Sequence, residues 1–191
     1  MKSVLITIRP QWVEKIASGE KTIEVRKTAP QEVPFKCYIY ETKGQYVKFT
    51  HGAHTKYGYG RGKVIGAFIC DRIEMVNAKC SNYGIDLFYH DCLTNGCLTE
   101  REIEKYFNVP EDRDLRAMKG NGYVWNISDL KIYDKPKELS EFRKPCPYGD
   151  LPCWICPSCD KDENDNLIQC FNTVSRPPQS WCYVENLGEE E

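Results

Sequence analysis

The spacing of apolar positions changes period several times along the chain, and each change predicts an element. Leu5, Ile6 and Ile8 form a β-rich apolar run. Trp12, Val13, Ile16 and Ala17 then recur at helical spacing, with Glu14 and Lys15 on the opposite face. Pro10 suits the first turn of this helix, where its missing N–H costs nothing. Gly19 stands where a helix C-terminus takes a left-handed residue. Residues 20–26 return to strand, with Ile23 and Val25 pointing one way, Thr22, Glu24 and Arg26 the other, and Lys21 at its mouth. Further strands are predicted from Pro34 to Tyr40, from Lys63 to Val76 in one or two pieces with Gly66 as a bulge, and from Tyr123 to Ile127. Leu130–Tyr133 and Trp181–Val184 follow. A short helix is predicted through Ile85–Tyr89. A second opens on the capping box Thr99–Glu102 and buries Ile103, Tyr106 and Phe107. Residues 44–63, with five glycines, read as a loop. Asp112–Lys119 reads as a charged linker, 120–122 as a tight turn, 136–142 as a single turn and 188–191 as a frayed acidic tail.

Charge alters this picture locally. The 191 residues carry a net charge of −2, so bulk electrostatics gives nucleic acid no attraction and any such binding needs a local basic patch. Lys21, Glu24 and Arg26 concentrate charge beside a helix end; the plain alternative is a solvated strand face with a rim salt bridge. Lys43, Lys48, Lys56, Arg61 and Lys63 interleave with Tyr46, Tyr57 and Tyr59 in the 44–63 loop, a composition that suits contact with nucleic acid as well as simple solvation. His51 and His54 lie in the same loop and read as solvated rather than ligating, because no Cys or acid accompanies them. No apolar run approaches the ~20 residues that span a bilayer, and no signal peptide is visible, so a cytoplasmic location with reduced thiols is expected.

In a reducing compartment the 11 cysteines point to metal rather than disulfides. Cys37, Cys70, Cys80, Cys92, Cys97 and Cys182 are scattered and read mostly as small buried hydrophobes. Cys146, Cys153, Cys156, Cys159 and Cys170 are clustered, with overlapping C-x-x-C units flanked by single cysteines. Four thiolates from such a set can surround a tetrahedral zinc ion, leaving one spare. The segment has too few large apolar residues to order itself by burial, so a structural zinc is expected, with free or redox thiols as the alternative.

The run Ile8-Arg9-Pro10-Gln11-Trp12 through Ser18-Gly19-Glu20-Lys21-Thr22 to Arg26 resembles the signature of the ASCH domain family, in the PUA-like superfamily. Residues 62–70, 123–130 and 176–185 resemble later segments of phage-type and bacterial members. The resemblance implies an α+β fold, a small mixed PUA-like β-barrel with a few short helices, formed by residues 1–143 and 176–185. Residues 144–175 would be a Cys-rich insertion, a zinc knuckle. The last strand would pair with the first and bring Ser180 and Trp181 towards the opening stretch. The resemblance also implies binding of RNA or a modified nucleoside in a cleft lined by Lys21, Thr22, Glu24 and Arg26, with Arg9 and Ser180 near it. Trp12 or Tyr59 could stack on a base there, although Trp12 at helical spacing also suits the core. One subfamily hydrolyses acetylated cytidine with a Lys, a Thr and a Glu. Lys21 matches, but Glu24 replaces the Thr and no matching Glu lies in 92–97, so hydrolysis of an amide or of RNA by Lys21 and Glu24 stands as the alternative. A protein-interaction module is a third reading.

Overall fold

The structure, a computed structural model, describes residues 1–51, 54–77, 85–109, 121–148, 156–157, 159–164 and 167–188, without the side chains of 51, 77, 85 and 167–169. The apolar opening run forms β1 (Lys2–Ile8), and Pro10–Ala17 forms α1 with Pro10 in its first turn. Gly19 follows at φ +79°, the left-handed conformation its position called for. β2 (Ile23–Arg26) runs on from there to β3 (Phe35–Glu41).

This β1–α1–β2–β3 passage carries the chain far enough for β3 to return parallel to β1, with Val4 opposite Cys37 and Ile6 opposite Ile39. β6 (Val64–Cys70), β9 (Ser128–Lys137) and β12 (Trp181–Val184) complete a five-stranded sheet in the order β12-β1-β3-β6-β9. The closing strand pairs with the first, antiparallel, placing Trp181 opposite Ile6. A second sheet, β2-β8-β7, uses β7 (Ile73–Asn77) and β8 (Asn121–Asn126). α1 and the facing sides of the two sheets enclose a core of Val4, Ile6, Val13, Ile16, Phe35 and Trp125. On the outside of the second sheet, α2 (Ile85–Leu93) and α3 (Glu100–Phe107) bury Ile23, Val25, Val124, Phe88 and Phe107.

Several sequence expectations need correction. Among the described residues no ladder joins the two sheets, so the strands form a mixed, sheet-rich α+β fold and not a closed barrel. The 44–63 segment is not a loop: β4 (Gly44–His51) and β5 (His54–Gly60) pair antiparallel as a separate hairpin. Its glycines serve close packing, since a Cβ at Gly58 would collide with the Tyr46 ring. Asn121 and Gly122 belong to β8 rather than to a tight turn, because a strand backbone at Gly122 lets the Phe88 ring close over it. Lys63–Val76 divides into β6 and β7, and Gly66 sits at register shifts towards both neighbouring strands, the bulge its position suggested. α2 extends to Leu93, and Thr99 caps α3 reciprocally with Glu102. Cys37, Cys70 and Cys92 are buried in the core, as their apolar contexts implied. The linker at 112–119 lies outside the described residues. No helix among those residues is long and apolar enough to cross a membrane.

The Phe88 ring meets Phe107 edge-to-face, 5.5 Å between centroids, at the centre of the helix-covered face. Phe88→Ala is expected to cost about 3–5 kcal/mol, the usual range for deleting a fully buried aromatic ring. Urea unfolding monitored by circular dichroism measures it, and a loss below about 1 kcal/mol would mean that this face is not tightly packed.

Candidate ligand site at the turn after the first helix

The turn that ends α1 is fixed by backbone bonds, and these set where Lys21 goes. Ser18 N–H bonds to Glu14 O and Lys21 N–H to Lys15 O. The loop following α2 is clamped on from the other side: Asn95 O accepts from Thr22 N at 3.0 Å, and Cys97 Sγ lies 3.3 Å from Glu20 O. Cys97 holds φ +54°, a conformation uncommon for a residue with a side chain. It turns the preceding Gly96 carbonyl inward, where it accepts from Lys21 Nζ at 2.8 Å.

Lys21, two residues ahead of β2, is therefore a buried side chain. Its side chain is 2% exposed, against 8% for Glu24 and 11% for Arg26. Glu24 lies between the two cations. Arg26 Nη2 is 3.1 Å from Glu24 Oε1, and Lys21 Nζ is 3.4 Å from Glu24 Oε2, an ionic contact whose geometry is not that of a hydrogen bond. Arg26 Nη2 also donates to Thr7 O at 2.7 Å, while Thr7 N–H bonds to Ser180 O. The carboxylate compensates one of two positive charges, leaving one formal positive charge in a low-dielectric place. The plain alternative of a solvated strand face fails because Ile23, Glu24 and Val25 are all buried.

Neighbouring side chains complete the surroundings. The Trp12 ring lies 5.7 Å from Lys21 Nζ, so this half-buried indole is both a core neighbour and a face for the cation. Trp125 stands opposite Glu24 in the β2–β8 register, on the same face of the sheet. Burial raises the Tyr106 phenol, against the opposing influence of the nearby Arg26 charge. Burial also pushes the Cys92 thiol to about 12, with Lys21 acting in the opposite direction.

Three buried polar atoms here have no hydrogen-bond partner: Glu24 Oε2, Arg26 Nε and Trp125 Nε1. Each such atom costs roughly 1–3 kcal/mol when left unpaired, so native proteins carry few of them. Two donors and an acceptor thus stand unpaired on Arg26, on Glu24 and on Trp125, which faces Glu24 across the β2–β8 ladder.

The remaining candidates lie elsewhere. Arg9 is exposed at the start of α1, where its carbonyl begins the helix. Thr22 is exposed beside the cluster, and Ser180 reaches it through its backbone carbonyl. Tyr59, 71% exposed, lies on the hairpin face with Val47 and Tyr57, and the other face leans on α1 through Lys48 and Glu14 at 2.7 Å. His54 is exposed opposite His51. A cleft of about 650 Å³ lined by Lys2, Ser3, Trp181 and Tyr183 shares no residue with the ionic cluster. Sequence reasoning missed the Asn95–Cys97 wall and Trp125, because both are placed by tertiary contacts and neither carries a spacing signal.

Comparison with solved structures finds the crystal structure of ASCH from Zymomonas mobilis, with a TM-score of 0.54 at 16% identity, covering 96% of this chain and 88% of that one. A mutant of the Zymomonas mobilis protein matches at the same TM-score with 15% identity, covering 96% and 89%. The chain has an ASCH-type fold. No family model and no curated protein matches the sequence. Within this ASCH-type fold, Ser18-Gly19-Glu20-Lys21-Thr22 forms the turn that inserts Lys21 beside Glu24.

Removing the ammonium leaves Glu24 paired with Arg26 but takes the donor away from the buried Gly96 carbonyl. Lys21→Met is expected to cost about 1–3 kcal/mol, as when a buried carbonyl loses its donor. Chemical denaturation of the variant measures this, and stability equal to that of the original chain would contradict a buried, coupled cluster.

Proposed function

We propose that this chain binds RNA or a modified nucleoside at the Lys21–Glu24–Arg26 cluster. The observation that carries the reading is the unpartnered Glu24 Oε2, together with unpartnered Nε on its ion-pair partner Arg26 and Nε1 on Trp125, which stands opposite it in the ladder. A nucleobase edge presents that mixture: an exocyclic amine donates to a carboxylate, and ring or carbonyl acceptors take N–H donors. The surplus positive charge of the cluster favours an electron-rich or anionic ligand. The Trp12 indole beside Lys21 supplies an aromatic surface for stacking. The ASCH-type fold agrees with this reading. Access would be through the parts of Glu24 and Arg26 that keep some exposure, 8% and 11%.

A longer ligand would have a second surface to follow. Val47, Tyr57 and Tyr59 are exposed on the β4–β5 hairpin, and Lys56 lies over the Phe49 ring at 5.8 Å. Exposed aromatic rings with nearby cations suit single-stranded nucleic acid, because every base has a face to stack and every nucleotide a phosphate.

Hydrolysis is a second reading, favoured by the burial of Lys21 and Glu24 within 3.4 Å of each other. Glu24 would take a proton from water, whose oxygen attacks the acetyl carbon of an acetylated cytidine. The C–N bond would break, and the proton would pass to the departing amine, giving acetate and cytidine. RNA cleavage by the same pair would need the corresponding acid–base steps at a phosphodiester.

Fluorescence anisotropy with a labelled single-stranded RNA and calorimetry with cytidine and acetylated cytidine test the binding reading. Mass spectrometry of the same mixtures records any product. Binding that weakens with salt, and about tenfold or more in a folded Arg26→Gln variant, is the expected outcome, since a charge-assisted hydrogen bond contributes about 1.5–3 kcal/mol. Binding unchanged by Arg26→Gln would place the ligand elsewhere. Product that forms with the original chain and disappears with Glu24→Gln would make hydrolysis the function.

A further inference from the structure

The cysteine-rich segment has an internal order that its sequence did not reveal. Cys159 N–H reaches back to Cys156 O at 3.4 Å, with Pro157 at the second position of the turn, where its fixed φ fits. The chain then forms β10 (Asp160–Lys161) and returns antiparallel as β11 (Leu167–Gln169), with Asp160 opposite Gln169. One step further along that register places Cys159 opposite Cys170, and their sulfurs lie 3.8 Å apart. Cys156 also contacts the Cys159 thiol.

That sulfur separation has a geometric meaning. Four sulfurs about 2.3 Å from a central zinc ion occupy a tetrahedron whose edges are about 3.8 Å. A disulfide would require sulfurs about 2.05 Å apart, so the pair is not bonded. Cys156 and Cys170 are almost wholly buried, 1% and 7% exposed, beside a two-residue strand paired with a three-residue one. The hairpin is tied to the main fold just beyond Cys170. Thr173 N–H bonds to Cys170 O, Lys144 N–H bonds to Asn172 O, and Arg143 bridges Thr173. Half-buried Cys146 follows two residues after Lys144, and Cys153 lies outside the described residues. Among the described residues no three ligating side chains yet converge on one point. An ion that completes its own site on binding would draw them together, since metal binding and local folding are coupled.

We propose that Cys156, Cys159 and Cys170 bind a structural zinc ion, with Cys146 as the fourth ligand. Each thiol gives its proton to solvent as its sulfur joins the metal, so affinity rises with pH. The ion would fix the β10–β11 hairpin against the 143–146 segment and takes no part in the ligand site at Lys21.

Metal analysis of the full chain, purified with a reductant and without chelator, tests this. About one zinc per chain is expected. Cys159→Ser and Cys170→Ser should each lose most of it, while Cys182→Ser, on β12, should keep it. Replacement by cobalt(II) gives an independent readout, because tetrahedral thiolate coordination produces intense sulfur-to-metal charge-transfer bands and visible ligand-field bands. Near-ultraviolet circular dichroism checks that each variant retains its core. Zinc absent from the original chain, zinc retained in both variants, or a Cys159–Cys170 disulfide in the reductant-purified protein would each overturn the assignment.

Discussion

The burial of the Lys21 ammonium is the constraint on which the rest of the site depends. A lone buried charge is too costly to persist, and the surrounding structure is arranged to compensate it. Gly96 gives a carbonyl, Glu24 a carboxylate and Trp12 a ring face. Each comes from a different element, so the cluster ties together the turn after α1, strand β2 and the loop after α2. The left-handed backbone at Gly19 and the uncommon conformation at Cys97 lie on the two sides of this junction.

The compensation is incomplete. Glu24 serves two cations, and an acceptor and two donors remain without hydrogen-bond partners around it. A cluster selected only for stability would be simpler as a packed apolar core, because buried ion pairs give little net stabilisation compared with hydrophobic replacements. The proposed ligand would satisfy the open atoms and the surplus positive charge. Their placement on a rigid two-sheet frame, with Trp125 wedged between Phe35 and Trp181, would keep that ligand in a fixed orientation.

Much of the frame was legible in the sequence where local chemistry decided the outcome. Pro10, Gly19 and the Thr99–Glu102 box marked helix ends because capping is a short-range effect. The alternation in Ile23 and Val25 marked β2, but not that Glu24 would be buried with them, because burial of the polar face depends on Trp125 arriving from about a hundred residues away. The β4–β5 hairpin was misread for a related reason. Its glycines and lysines resemble a loop until Gly58 is seen to accommodate the Tyr46 ring and Lys48 to pair with Glu14. The barrel inferred from the family resemblance was too closed, since strand composition does not reveal which sheet edges remain unpaired.

The most direct measurement is a nuclear magnetic resonance titration that follows the tryptophan indole N–H signals as cytidine, acetylated cytidine or a short RNA is added. Trp12 and Trp125 report on the ionic cluster, whereas Trp181 also lines the separate cleft with Lys2 and Tyr183. Binding at the cluster is expected to shift the Trp125 and Trp12 indole signals first, as Trp125 Nε1 gains an acceptor. Saturable binding that moves only the Trp181 indole and leaves Trp12 and Trp125 unchanged would contradict the account.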